Sequence, residues 1–179
     1  EDYLRLSEEM HKRDMKLIMD YVTNHWGLQH WMMKDAPSTD WIHQFEKYTQ
    51  TNHKRSTISD INASKIDTEI CLDGWFVPTM PDLNQSNPLM LNYLKQNAIW
   101  WIEYADLDGF RVDTYNYSDP AGIASWTKAI TDEYPNFNIV GEIWMHDQAQ
   151  MAYWQKDSKI GAIQNYNSYL PSVMDFTLH

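Results

Sequence analysis

The sequence predicts an α/β fold built on a parallel sheet, and three observations carry that prediction. Helix-like and strand-like runs alternate along the 179 residues, and strands that alternate with helices imply right-handed crossovers and parallel pairing. Asn24, His25, Asp113 and Glu142 fall at or just past the C-terminal ends of the strand-like runs, where barrels and doubly wound sheets both place their chemistry. No glycine-rich phosphate loop follows any strand, so the balance tips toward a (β/α)8 arrangement.

The elements follow in order. Tyr3, Leu6 and Met10 stand at helical spacing among charged residues, which predicts a helix from Tyr3 to Arg13. Lys16 to Val22 then turns densely apolar and reads as a buried strand. Thr23 to about Trp75 shows no sustained period, and irregular stretches of that length are usually functional or a small subdomain. Asn87-Pro88 opens the next helix with a cap and a proline at the first helical position, and Leu91, Leu94, Ala98, Trp101 and Ala105 supply its stripe. Gly109 to Val112 reads as a strand delivering Asp113. Asp119-Pro120 starts another helix with Ile123, Trp126 and Ile130 inward, and Pro135 lies beyond its end. Asn138 to Trp144 is a third strand, Asp147 to about Gln155 a shorter helix, and Ser172 to Phe176 a fourth strand. In terms of domains, residues 1–25 carry the first helix and strand, 26–75 an inserted irregular subdomain, and 76–179 the remaining helices and strands.

A net charge of −11 argues against nucleic acid, which clustered Lys and Arg would be needed to bind. Nine Trp and eleven Tyr suit sugar rings, whose C–H faces pack on flat aromatics, although most such rings fill cores. The single Cys71 forms no intrachain disulfide and excludes multi-cysteine metal motifs; no metal ligands are assigned. No apolar run approaches the roughly 20 residues of a membrane span. The chain begins with Glu1 inside a helical pattern, so a natural start there is not expected, and the compartment stays open between bacterial periplasm and cytoplasm.

Asp113 and Glu142 end strands separated by one crossover helix, so they belong on neighbouring strands above one cleft. Paired carboxylates there suit glycosidic cleavage, one protonating the leaving oxygen and the other attacking or stabilising the cationic sugar. Arg111, two residues before Asp113 on a strand, projects to the same side and sets an opposite charge beside it. An Arg–Asp pair that only fastens a strand end would look the same in sequence.

Asp20-Tyr21-Val22-Thr23-Asn24-His25, Gly109-Phe110-Arg111-Val112-Asp113 and Gly141-Glu142-Ile143-Trp144 resemble, in order, the first three sequence regions of the α-amylase superfamily. The resemblance covers essentially the whole chain. It implies a partial (β/α)8 TIM barrel, roughly strands 3 to 6, with the subdomain inserted after strand 3. It further implies Asp113 as nucleophile, Glu142 as acid/base with retention of configuration, and Arg111 orienting and ionising Asp113. His25 would bind a sugar hydroxyl, with Asn24 and Asp20 buttressing its loop. Tyr117 and Trp144 are the candidates for stacking on sugar. Met80-Pro81-Asp82-Leu83-Asn84 is intermediate between the patterns of neopullulanases and cyclomaltodextrinases and that of oligo-1,6-glucosidases, and the Trp144, His146, Asp147 cluster resembles that of neopullulanases, which implies an α-glucan partner: starch, pullulan or cyclodextrins cleaved at α-1,4 bonds, with α-1,6 bonds left open. An oligo-1,6-glucosidase, a transglycosylase or a non-catalytic glucan-binding homologue are the alternatives. An Asn at position 24 ligates calcium in many relatives, which leaves that ion open for the full-length enzyme. The family's third carboxylate, on a later strand, has no counterpart before His179. A half barrel with exposed edges is expected to self-associate and to be inactive alone.

Overall fold

In the computed structural model, which describes residues 1–178, Ile18–Val22 (β1), Gly109–Asp113 (β2), Asn138–Gly141 (β3) and Ser172–Val173 (β4) form one parallel sheet in sequential order. Every neighbour is the next strand in the chain. The sheet therefore lacks the reversal of a doubly wound fold and winds as a segment of a barrel does. The helices are Asp2–His11 (α1), Lys65–Asp73 (α2), Pro88–Ala105 (α3), Pro120–Glu133 (α4), Gln148–Tyr153 (α5) and Lys159–Ile163 (α6). Helix α3 crosses from β1 to β2, α4 from β2 to β3, and the α5–α6 pair from β3 to β4.

Period-two alternation divides the strands between two faces. Leu17, Tyr21, Phe110, Val112 and Ile139 are buried in one core with Leu94, Ala98 and Ile102 of α3 and Ile123, Trp126 and Ile130 of α4. Tyr21 stacks on Trp126 at 5.5 Å and its hydroxyl donates to Asn97 at 2.8 Å, so β1 and both crossover helices meet at one ring. The opposite face carries Ile18, Asp20, Val22, Arg111 and Asp113 and is open, with Ile18 54% exposed. The expectation that the first strand is buried throughout is corrected: of Ile18–Val22 Tyr21 is buried and Met19 half-buried, while the alternate residues are exposed, because helices cover a single face of the sheet.

Local sequence explains where the helices start. Asn87 accepts hydrogen bonds from the N–H groups of Leu89 and Met90, Asp119 from Gly122 and Asp147 from Gln150, each satisfying orphan donors of a first turn. Asp106, left-handed at φ 48°, ends α3. The buried stripe of α3 is Met90, Leu94, Ala98, Ile102 and Ala105. Leu91 and Trp101 are only half-buried, so the expected stripe is rotated by about one residue. Strands β3 and β4 stop at Gly141 and Val173, short of the expected Trp144 and Phe176. Helix α2 lies within the stretch expected to be irregular, and α6 was not expected. Both are capped by a serine, Ser64 and Ser158.

At the N-terminal end of the sheet, Asp108 ties three segments together. It accepts from the Leu17 N–H at 2.8 Å and pairs with Lys16 at 2.8 Å and His11 at 2.9 Å. Burial alone would raise its carboxyl pKa, but these partners hold it at about 2. A carboxyl depressed on folding adds stability that is present above its unfolded value of about 3.9 and is lost as pH falls through about 2. Asp108→Asn is therefore expected to cost about 1 kcal/mol or less at pH 7 and to flatten the fall in stability between pH 4 and 2, read from urea melts across that range.

Candidate active site

Three neighbouring strands bring acidic groups to one edge of the open face. Asp20 stands opposite Arg111 in the β1–β2 register, Asp113 ends β2, and Glu142 follows the last residue of β3. Arg111 joins them. Its Nη1 donates to Asp113 Oδ1 at 2.6 Å and to the two Asp20 oxygens at 3.0 and 2.9 Å, and its Nη2 lies 2.6 Å from Glu142 Oε1. Burial works against the guanidinium charge, yet the hydrogen bonds it donates to Asp113 and Asp20 and the charge of Glu142 raise its pKa.

Glu142 is buried and held at both oxygens. Oε1 accepts from Trp144 Nε1 at 2.7 Å, and Oε2 accepts from the backbone N–H of Thr114 at 2.9 Å. Thr114 directs that N–H from a left-handed backbone, φ 47° and ψ 34°, which is costly for a β-branched residue and of a kind that persists where surroundings over-determine it. Gly141 lets the chain reach this position. A Cβ there would sit 2.7 Å from Leu170 and 3.2 Å from the Tyr115 ring.

Asp113, Thr114 and Glu142 line a pocket of about 390 Å³ with His25, Arg55, Phe76, Met80, Tyr117 and Trp144. A hollow of about 570 Å³ continues past His25 and Met80, and another of about 290 Å³ past Arg55 and Trp144. His25 stacks on Phe76 at 5.6 Å. Its Nδ1 accepts from the Asn24 amide at 3.4 Å, so Nε2 carries the proton. Burial lowers the His25 pKa against the charge of Asp113, which favours a neutral imidazole with one N–H to donate.

Asp113, Glu142, His25, Tyr117 and Trp144 thus line one pocket, Arg111 bridges the first two, and Asn24 lies buried beside His25. Two residues stand elsewhere than expected. Asp20 does not support the His25 loop; it is on β1, where it faces Arg111. Tyr117 offers no open face, being 4% exposed, edge-on to Phe76 and hydrogen-bonded to His53 Nδ1 at 3.0 Å. Trp144, 45% exposed and backed by Phe176 at 4.6 Å, is the open platform. Arg55 and Phe76 were missed. Both sit where no periodicity marks a residue's direction.

The Met80–Gln85 stretch acts as a rivet. On one side the Leu83 N–H donates to the Asn24 carbonyl at 2.9 Å, the Trp26 N–H to Pro81 at 3.2 Å, and Gln85 Nε2 to the Thr23 carbonyl at 3.0 Å. On the other, the His43 N–H donates to the Asp82 carbonyl at 3.1 Å, the Asn84 N–H to Trp41 at 2.8 Å, and His43 Nδ1 lies 2.7 Å from Asp82 Oδ2. Burial pushes the Asp82 carboxyl up to about 8 despite His43. Burial also opposes charge on His43, but Asp82 and Asp73 raise its pKa.

Calcium takes six to eight oxygens. Asn24 Oδ1 and Asp82 Oδ1 are both buried acceptors without a partner, while Asp82 Oδ2 is paired with His43, and among the described residues no group of three or more His, Cys, Asp or Glu could hold a metal. Two side-chain oxygens fall short of that number, and no step is routed through the ion.

The sequence matches the model of the alpha-amylase catalytic domain over residues 1–177. The chain belongs to this family. It is similar to an intracellular maltogenic amylase of Bacillus subtilis, 28% identical over 98% of this chain and 28% of the relative, and to neopullulanase 2 of Thermoactinomyces vulgaris, 32% identical over 92% and 26%. Its fold resembles the crystal structure of the alpha-amylase from Geobacillus thermoleovorans complexed with acarbose, with TM-score 0.73 and 30% identity over 99% of this chain and 34% of that one. The chain spans about a quarter to a third of the length of these relatives. Its four parallel strands are half the number that a (β/α)8 barrel contains. Among the described residues no helix is long and apolar enough to cross a membrane.

A carboxyl or imidazole raised on folding adds stability below its unfolded pKa that is lost as pH rises through the folded one. The Asp82–His43 pair should therefore make the protein less stable as pH climbs from about 4 to about 8. Asp82→Asn is expected to cost roughly 1 to 3 kcal/mol at pH 6 and to flatten that decline; melting temperatures that fall as steeply in the variant would contradict it.

Proposed function

We propose that this site belongs to a retaining glycoside hydrolase of the full-length protein, cleaving α-1,4 and also α-1,6 glucosidic bonds of starch, pullulan or cyclodextrins. The observation that carries the reading is the clamp: one guanidinium within 2.6 Å of both Asp113 and Glu142, in a pocket walled by an exposed tryptophan. Retaining cleavage requires two carboxyl groups only about 5 to 5.5 Å apart, and a shared guanidinium keeps them close. The maltogenic amylase, neopullulanase and cyclomaltodextrinase named among the relatives support the choice of substrate.

In this mechanism Asp113 attacks the anomeric carbon as the bond to the leaving oxygen breaks, and Glu142 gives that oxygen its proton. Arg111 Nη2 releases Glu142 Oε1 for this transfer while Nη1 keeps Asp113 aimed. The product of the step is a glycosyl ester on Asp113. Water then attacks the same carbon, Glu142 takes its proton, and the ester bond to Asp113 breaks with net retention. His25 Nε2–H donates to a hydroxyl of the sugar held at Asp113, with Asn24 fixing the ring.

The test is hydrolysis of maltotriose, pullulan and β-cyclodextrin by the full-length protein, with the product anomer followed by NMR. Glu142→Gln should lower kcat by roughly a hundredfold to ten-thousandfold, with partial rescue by azide on an activated glycoside, and Asp113→Asn should abolish turnover without rescue. Binding without cleavage by the wild type would instead favour a glucan-binding homologue. Residues 1–179 alone are expected to turn over no substrate. The edge of β1 is unpaired on one side and Ile18 and Val22 beside it are exposed, so this polypeptide is also expected to self-associate; light scattering that finds only monomer at micromolar concentration would contradict that.

A further inference from the structure

We propose that Arg55, carried by the inserted stretch, determines specificity for the sugar on the leaving-group side of the scissile bond; the inference rests on the glycosidase reading of Asp113 and Glu142. The pocket that holds those carboxylates and the hollow that also includes His53, His146 and Asp147 meet at two side chains, Arg55 and Trp144. Which side of the bond this hollow serves follows from the proton donor. The leaving oxygen must reach Glu142, and Glu142 Oε1 is bonded to Trp144 Nε1. The retained sugar stays with Asp113 and His25, so the departing sugar extends past Trp144 into the hollow.

The chemistry of Arg55 suits that sugar. Its guanidinium lies 5.7 Å over the Tyr117 ring, and among the described residues no carboxylate lies within ion-pair distance of it. In a chain with 25 acidic and 14 basic side chains, a half-buried guanidinium left without a carboxylate at a cleft has donors to spare. Arginine presents parallel N–H groups in a planar fork, and adjacent hydroxyls on a pyranose ring offer two acceptors at matching spacing. Tyr117, tied to His53, supports the fork from beneath. Phe176 covers one face of Trp144, which leaves the other for the apolar face of the same sugar. Arg55 reads hydroxyls and Trp144 reads ring shape, one from the insertion and one from the strand end.

The experiment compares two substrates in the full-length protein. Maltotriose has a sugar as leaving group, and α-glucosyl fluoride does not. Arg55→Ala should lower kcat/KM on maltotriose by a factor about tenfold or more greater than on the fluoride, and Arg55→Lys, which keeps charge but loses the fork, should restore only part of it. Should Arg55→Ala fail to fold, Arg55→Gln takes its place with the same expectation. Equal losses on both substrates would mean that Arg55 acts through the carboxylates or the fold, and no loss on either would mean that it only packs on Tyr117; each overturns the proposal. A wild-type enzyme that cleaves neither substrate would sink the glycosidase reading itself, and this inference with it.

Discussion

Asp20, Asp113 and Glu142 come from three consecutive strands and converge on the guanidinium of Arg111, which sets the terms for everything around it. Three carboxylates gathered at one edge of a sheet repel one another, and the cation that offsets this must reach all of them at once. Arg111 does so only because β1 and β2 pair with Asp20 opposite Arg111. Side chains alternate along a strand, so a slip of one residue would turn Arg111 toward the helices and Phe110 toward the open face. The buried set of Tyr21, Phe110 and Trp126 therefore does more than fill a core. By admitting only one register, it aims the chemistry on the opposite face.

The second constraint is the way the stretch 26–75 is fastened. His25 is useful only where its loop puts it, and that loop is held through backbone bonds to the Met80–Gln85 stretch. The same stretch grips the insertion through His43 and Trp41. Arg55 and Phe76, which wall the pocket, inherit their places from this joint. The pocket is thus built by two parts of the chain far apart in sequence that share a single short segment.

Much of this was legible in the sequence. Capped starts at Asn87 and Asp119, the alternation around Phe110 and Val112, and the motif residues at strand ends leave strong local signals, and the structure brings Asp113, Glu142, Arg111 and His25 together. The rest is hidden for physical reasons. A motif lists residues along the chain, whereas Asp20 meets Arg111 across strands. Composition marks the Tyr117 ring but not which of its faces are covered. Helix α2 buries only Cys71, so no apolar stripe announced it, though Ser64 and Asp67 stood at capping distance. Arg55 gave no signal of any kind, since the fold alone brings it to the cleft.

The Asp82–His43 pair has a bearing on how such chains diversify. Residues 26–75 look like a cassette, a segment that one lineage could exchange for another to acquire a new cleft wall. Half of the fastening, however, lies downstream in Met80–Gln85. A 26–75 segment without a histidine in the place of His43 would strand the buried Asp82 carboxyl, and a chain with Asp82 replaced would leave His43 without its partner. Exchange is therefore possible only as a matched set that carries the Met80–Gln85 stretch with it.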